Sequence, residues 1–189
     1  MNENIALMRR AKEQLSGNWG NVAIGSLIYL VLMAIANSTS FIELIVEGPL
    51  TFGYILYLAC NIDRRENNFN LLFKGFERFA DTLVAGLLYL LAIGVGFVLL
   101  IVPGIIAACG LSMTFYIMVD DPQISGVDAL KKSWDMTMGH KMQIFCLWWR
   151  FFGWLLLATL TCGIGMIWLH PYMTATYLNF YRKLRYGTF

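Results

Sequence analysis

The sequence from Thr82 to Val119, TLVAGLLYLLAIGVGFVLLIVPGIIAACGLSMTFYIMV, contains no charged residue. A helix that crosses a bilayer needs about 20 apolar residues, so this stretch has about twice the required length. Gly94, Gly96 and the pair Pro103-Gly104 lie near its middle, where a turn between two helices needs residues that interrupt a helix. The stretch therefore predicts a hairpin of two membrane-spanning helices.

The composition of the whole chain also indicates a membrane protein. Of the 189 residues, 58% are hydrophobic and only 14% are charged, and the mean hydropathy is +0.61. Soluble domains are about half apolar and a quarter charged, so this chain has too little polar surface to cover a water-soluble globule. A net charge of +2 gives no basis for a nucleic-acid partner. We expect one polytopic membrane domain, residues 1–189.

Apolar segments outside the central stretch predict four more spans. They cover about residues 22–36, 48–61, 142–161 and 166–181. Together with the central stretch they form three hairpins. The predicted helix breakers are Pro49 at the start of the second span, Pro103 and Gly104 at the central turn, and Pro171 in the last hairpin.

A segment with one apolar and one charged face precedes each predicted hairpin. The three segments cover about residues 3–15, 69–79 and 125–138. Ser125 caps the third of them with Asp128 three residues later, an acidic variant of the capping box. The predicted fold is an all-α integral membrane protein with six transmembrane helices in three hairpins, each preceded by a cytoplasmic amphipathic helix.

The order of these elements suggests an internal repeat. A glycine lies within or just after each amphipathic segment and a proline recurs in each hairpin, at Gly17, Gly75 and Gly139 and at Pro49, Pro103 and Pro171. The predicted repeats cover residues 1–66, 67–122 and 123–189. The alternative is that any three membrane hairpins share such a pattern.

The placement of basic residues predicts the orientation in the membrane. Apart from Arg150, every Lys and Arg lies near the N-terminus, in one of two loops or in the C-terminal tail. With six spans these regions share one side, so both termini are expected in the cytoplasm. The residues expected near anionic headgroups are Arg9, Arg10, Lys12, Arg64, Arg65, Lys131, Lys132, Arg182, Lys183 and Arg185.

Several short motifs follow one another along the chain. They are Gly48-Pro49-Leu50 with Gly53, Leu72-Phe73-Lys74-Gly75-Phe76, Val102-Pro103-Gly104-Ile105, Ser133 with Met138-Gly139-His140-Lys141, and Pro171-Tyr172 with Phe180-Tyr181. This ordered set resembles the landmarks of a bacterial integral-membrane family known as domain of unknown function 975. The resemblance extends over nearly the whole chain. It implies a six-span protein of the bacterial cytoplasmic membrane and no catalytic residue, because the family has no established activity.

Arg150 is the one basic residue predicted inside a span. At 1.5 Å per residue it lies about 14 Å beyond Lys141, near the middle of a hydrocarbon core about 30 Å thick. A charge there costs at least about 2.5 kcal/mol, which makes it a functional candidate, here as a contact for an anion or lipid headgroup. The alternatives are a bond to a carbonyl, a pair with Glu43 or Glu47, and an interfacial position.

His170 is the second candidate for a ligand contact. It could relay protons, or it could bond to a carbonyl that Pro171 leaves without a partner. No Asp or Glu is predicted deep within a span, so no carboxylate is expected there to couple transport to protons or sodium ions. The four cysteines lack zinc spacing, and no enzyme motif occurs. We expect no metal, no cofactor and no enzymatic activity.

These observations favour a non-enzymatic membrane component that binds lipids or a partner and serves envelope assembly, maintenance or protection. Its partners would be membrane lipids and another membrane protein or a second copy of the chain. The alternative is a small oligomeric transporter or channel with a path near Arg150. A polar cavity that reaches the middle of the membrane would favour transport. A closed apolar bundle with an aromatic cytoplasmic surface would favour the first hypothesis.

Cysteine accessibility in a chain without native cysteines tests the predicted topology. We expect Thr39→Cys and Ile164→Cys to react with an impermeant thiol reagent from outside the cell. Glu66→Cys and Lys132→Cys should react only after permeabilisation, because the basic loops stay in the cytoplasm. External labelling at residue 66 would contradict the model of six spans with both termini inside.

Overall fold

The computed structural model describes residues 2–37, 40–63, 68–161 and 163–187, with side chains for all of them except residues 2 and 40–43. In this part of the chain the regular structure is entirely helical. The α-helices are α1 (Asn2–Leu15), α2 (Trp19–Asn37), α3 (Ser40–Ile62), α4 (Phe79–Leu99), α5 (Ile101–Leu111), α6 (Thr114–Asp120), α7 (Gly126–Met136), α8 (Lys141–Leu160) and α9 (Met166–Tyr186). A 3₁₀ helix, Phe69–Phe76, lies between α3 and α4.

Five helical segments within the described ranges are long and apolar enough to cross a membrane. They are α2, α3 from Leu44 onward, α4, the consecutive pair α5–α6, and α8. Helix α9 has 21 residues, as many as α4, but it is more polar because it carries His170, Asn179 and several basic residues. Apolarity alone therefore identifies five of the six predicted spans.

Helix α9 lies at the centre of the bundle, where its polar side chains form hydrogen bonds within the helix and to other parts of the protein. It packs against α1, α2, α3 and α8, and Phe180 is fully buried. The Thr176 hydroxyl donates to the carbonyl of Tyr172 over 2.7 Å. The Asn179 amide donates to the side-chain oxygen of Gln14 over 2.8 Å. A helix in this position is surrounded mainly by protein, so few of its side chains must be apolar.

Most predicted helix boundaries lie close to those of the structure, but α9 continues to Tyr186 rather than ending near residue 181, and α3 differs at its start. This helix begins at Ser40 rather than near Gly48, so Pro49 lies inside it and does not start it. Pro171 also lies inside its helix, α9. A proline removes one backbone donor, and a packed membrane bundle tolerates this loss because neighbouring groups satisfy the freed carbonyl. The predicted cap of α7 is confirmed, since Ser125 accepts from the Asp128 amide over 3.2 Å.

The central apolar stretch turns at Leu100, which has an extended backbone between α4 and α5. Pro103 lies in the first turn of α5, where its missing N–H has no helical partner to lose. Gly104 faces the ring of Phe97 in α4, and a Cβ there would lie 2.7 Å from a ring carbon. These two residues adjoin the turn as predicted, whereas Gly96 lies inside α4.

The tip of this hairpin is formed by exposed aliphatic side chains. Residues 98–102 are between 65% and 88% exposed, and their sequence, VLLIV, contains no polar side chain. The α4–α5 tip therefore extends beyond the packed part of the bundle.

Three glycines bring α3 into direct backbone contact with its neighbours. A Cβ at Gly48 would overlap a carbonyl group of α4. A Cβ at Gly53 would overlap the carbonyl of Leu72 in the 3₁₀ helix, and a Cβ at Gly75 would overlap the carbonyl of Pro49. Helices in membranes associate through such close packing of small residues. These contacts fix where α3 lies.

Gly75→Ala should therefore destabilise the protein. The added methyl group has no space beside Pro49, so we expect the free energy of unfolding to fall by about 1–3 kcal/mol. Gly94→Ala is the matched control, because nothing lies within 4 Å of its Cβ position and alanine favours a helix over glycine. Thermal unfolding followed by circular dichroism in a nonionic detergent measures both. Equal melting temperatures for the two variants would contradict the close contact.

Candidate functional site

A polar cavity of about 230 Å³ lies between α2, α3, α4, α5, α6 and α9. Its wall contains one carboxylate, one imidazole, five aromatic rings of Tyr and Phe, and three hydroxyls of Ser and Thr. We call this space the central cavity. It is lined by Tyr29, Glu47, Thr51, Tyr54, Ile55, Gly86, Tyr89, Leu111, Ser112, Phe115, Tyr116, His170 and Thr174.

The central cavity lies about halfway along the long helices. Tyr29 is near the middle of α2 and Tyr89 is near the middle of α4, so each is about 15 Å from the ends of its helix. The hydrocarbon core of a bilayer is about 30 Å thick. In a bundle that spans such a core, Tyr29 and Tyr89 lie near its middle, whereas Glu47 and His170 lie about 5 and 6 Å from the starts of the segment Leu44–Ile62 and of α9.

One wall of the cavity is a cluster of three rings from three helices. The Tyr29 and His170 rings are stacked with centroids 5.0 Å apart. The Tyr54 ring lies 4.7 Å from each of them. Such contacts between rings orient each ring, so the cluster holds His170 in place in the cavity wall.

Hydrogen bonds to the neighbouring helices fix the tyrosines of this cluster. The Ser26 hydroxyl donates to the carbonyl of Val22 over 2.9 Å and lies 2.7 Å from the Tyr54 hydroxyl. Because a serine has one hydroxyl proton, Tyr54 donates to Ser26. The hydroxyls of Tyr29 and Thr51 are 3.4 Å apart. These bonds occupy the hydroxyls of Tyr54 and Tyr29, and the rings of both residues line the cavity.

His170 brings a polar atom to the cavity that the protein itself does not satisfy. Its Nδ1 is buried and has no hydrogen-bond partner among the described residues. The alternative in which this nitrogen bonds to a carbonyl freed by Pro171 is therefore not observed. An unsatisfied buried polar atom costs about 1–3 kcal/mol, so the ring gains from a bond to a molecule in the cavity.

Glu47 places a carboxylate in the cavity wall, and it lies near the start of a candidate span although the sequence placed it outside the second span. The candidate span Leu44–Ile62 contains it, and its side chain is half-buried. The error follows from the start of α3, which lies before Glu47 and not after it. A sequence signal was present, since Glu47, Thr51 and Tyr54 have the spacing of one helix face.

The fourth candidate span is interrupted beside the cavity, between α5 and α6, at Ser112 and Met113. Helix α7 satisfies the backbone groups that this break leaves open. The carbonyl of Gly110 accepts from the Ser133 hydroxyl over 2.9 Å and from the Thr137 hydroxyl over 3.0 Å. The Met113 amide donates to the Ser133 hydroxyl over 3.2 Å. Side chains of α7 therefore stabilise the break, and Ser112 lies in the cavity wall.

A larger apolar space adjoins the central cavity. This lateral groove, of about 570 Å³, lies between the α4–α5 hairpin and helices α8 and α9. It shares Tyr89, Ser112 and Tyr116 with the central cavity, and its other lining residues are mostly apolar. Three side chains therefore separate the polar space from the apolar one.

Arg150, the predicted contact in the fifth span, lines neither of these spaces. It is half-buried in the middle of α8. It has no hydrogen bond or ion pair with any other residue of the described ranges. Glu47, one of its suggested partners, lies in the central cavity, and the side chain of Glu43 is outside the described set. A contact of Arg150 with an anion or lipid headgroup stays a prediction.

The basic residues of the C-terminal tail pair with carboxylates of other helices. Arg182 contacts Asp63 over 2.8 Å, Lys183 contacts Glu3 over 2.9 Å, and Arg185 contacts Asp120 over 2.7 Å. These pairs join the end of α9 to α3, α1 and α6.

The remaining predicted surface residues are distributed over the same region. Lys131 and Lys132 lie 3.9 Å from Asp128 and Asp121, and Arg9 and Lys12 are exposed while Arg10 is half-buried. Arg64 and Arg65 are outside the described residues. The contact of these groups with headgroups stays a prediction.

Five helices of membrane-spanning length and apolarity in an all-α chain define the class as a multi-pass membrane protein. The sequence profile of one family, described as "Protein of unknown function (DUF975)", matches residues 88–187, and the chain belongs to this family. The predicted family is thereby confirmed, although the N-terminal motifs lie outside the matched residues. A search of curated proteins and a search of solved structures found no match to the chain.

The pair of Glu3 and Lys183 makes the attachment of α1 depend on pH. The hydrogen bond and charge of Lys183 lower the pKa of the exposed Glu3 carboxyl. A lowered pKa stabilises the docked state at neutral pH, and this contribution disappears as the pH falls through the lowered value. We expect hydrogen-exchange protection of α1 to fall in this acidic range. Glu3→Gln should remove this part of the pH dependence, and an identical profile in the variant would contradict the assignment.

Proposed function

We propose that this protein is a non-enzymatic, six-span protein of the bacterial cytoplasmic membrane that binds a small polar solute in the central cavity and transports it. The observation that carries this proposal is the polar cavity halfway along the helices. Polar and ionisable groups inside a membrane bundle are costly and are typical of substrate or ion pathways. A bundle that only contacts lipids has no need for Glu47 and His170 in its interior.

The interrupted fourth span supports the same function. Transporters typically bind their substrates near the middle of the bilayer, beside discontinuous helices. Irregular backbone is tolerated at this depth where it is buried in protein or lines a cavity. At Ser112 and Met113 the backbone angles stay helical, but α7 bonds to the backbone groups beside the break and the Ser112 side chain lines the cavity.

The position of α9 supports a sixth span. At 1.5 Å per residue, its 21 residues cover about 31 Å, and it follows α8 after a short turn. A span surrounded by protein does not need the apolar surface of a lipid-facing span. Six spans place the N-terminus, both basic loops and the basic tail together, and the positive-inside rule places them in the cytoplasm.

A second candidate function is the binding of lipids or a partner protein, including a second copy of the chain, in envelope assembly, maintenance or protection. A row of exposed phenylalanines beside the 3₁₀ helix favours it. Phe73, Phe76 and Phe79 are exposed, with neighbouring ring centroids 6.5 Å apart. Lys74 and Glu77 lie between them and are also exposed. Aromatic and charged side chains in such proximity are typical of the membrane interface.

Thiol labelling of Ser112→Cys tests the solute pathway. The variant is made in a chain without native cysteines, reconstituted in oriented vesicles and treated with a methanethiosulfonate that carries a fixed positive charge. We expect reaction from both sides of the membrane, because transport requires the cavity to open to each side in turn.

Ser26→Cys is the matched control, since Ser26 is fully buried and does not line the cavity. It should react more slowly than Ser112→Cys from either side. Ile164→Cys, on an exposed turn, measures the activity of the reagent. Failure of Ser112→Cys to react would exclude a solute pathway through the cavity, and reaction from one side only would exclude transport.

A further inference from the structure

We infer that the solute of the central cavity is a small organic ammonium ion, bound by the Glu47 carboxylate and by the faces of the surrounding aromatic rings. This inference rests on the proposed solute pathway and adds the chemical class of the solute. Three properties of the wall support it: its charge, its rings and its size.

The charged groups of the wall favour a cation. Glu47 contributes a carboxylate, and none of the residues that line the cavity is Lys or Arg. The neighbouring stretch from Thr82 to Val119 also has no charged residue. Water screens charges poorly at this depth, so one carboxylate strongly favours a positive solute over a negative one. His170 adds a nitrogen and a ring to the same wall.

The rings of the wall form two aromatic surfaces. Tyr29 and Tyr54 pack with His170 on one side, with centroids no more than 5.0 Å apart. Tyr89 and Phe115 belong to the same lining and have centroids 6.4 Å apart. The face of an aromatic ring attracts a cation, and cages of such rings with an acid recognise ammonium groups. Ring faces thus supply the contacts that an alkylated ammonium ion needs.

The same wall is a poor site for a metal ion. Calcium, for example, requires six to eight oxygen ligands, and the hydroxyl of Tyr54 is already bonded to Ser26. Within the described residues no group of three or more His, Cys, Asp or Glu side chains could hold a metal ion. The volume of about 230 Å³ is at the small end for a ligand site. The solute is therefore a compact ion with a few carbon atoms.

Binding of tetramethylammonium and choline to the purified full-length protein tests this inference. Isothermal titration calorimetry in a nonionic detergent compares choline with its uncharged isostere, 3,3-dimethylbutan-1-ol. We expect the wild-type protein to bind both cations and to bind the neutral alcohol at least about tenfold more weakly, because only the cations gain the charge and ring contacts.

Variants identify the groups that bind the ion. Glu47→Gln and Tyr29→Leu should each weaken choline binding about tenfold or more, whereas Tyr29→Phe keeps the ring and should retain it. The controls are Glu77→Gln, an exposed carboxylate, and Tyr172→Leu, a half-buried tyrosine; neither residue lines the cavity. Both controls should bind as the wild type does. Size-exclusion chromatography shows that each variant is folded.

The outcomes separate this inference from the proposed function. Equal binding of choline and the neutral alcohol, or undiminished binding by Glu47→Gln, would overturn the ammonium site. The thiol labelling at Ser112 would still show whether a solute pathway exists. Choline binding that depends on Glu47 and on the Tyr29 ring, without labelling at Ser112, would support the site and exclude the transport function.

Discussion

Backbone contact along α3 is the constraint on which the rest of this structure depends. Lipid tails are as apolar as the helices, so spans associate by close packing rather than by the hydrophobic effect. Gly48, Gly53 and Gly75 permit this packing against α4 and the 3₁₀ helix. The same helix carries Glu47 and Tyr54. The positions of Glu47 and Tyr54 in the cavity therefore depend on backbone contacts made by glycines.

Local patterns in the sequence predicted most of the helices. Apolar length identified α2, α4 and α8, and the cap at Ser125 located the start of α7. The position of α9 could not be predicted, because its place in the bundle depends on packing between distant residues. Within the described residues, a short helix followed by two long helical segments occurs three times when α5 and α6 are taken together. The internal duplication that this order suggests stays a prediction.

The sequence predicted only part of the candidate site. His170 was identified as a polar residue in an apolar segment, and it does line the cavity. Arg150 was identified for the same reason, but it does not line the cavity. Glu47 was considered only as a partner of Arg150, because Pro49 was interpreted as the start of a helix, whereas α3 continues through Pro49. The tyrosines could not be recognised from spacing, because they come from four different helices.

The exposed aliphatic tip of the α4–α5 hairpin has a consequence for how the protein responds to its bilayer. Residues 98–102 have no aromatic or charged side chain, and such side chains are what hold the end of a span at the headgroups. The depth of the hairpin in the membrane is therefore determined by its opposite end, where Asp120 is paired with Arg185. In a thicker bilayer this apolar tip would lie within the hydrocarbon core, whereas in a thinner bilayer it would meet headgroups and water. This hairpin thus favours the thicker of two membranes.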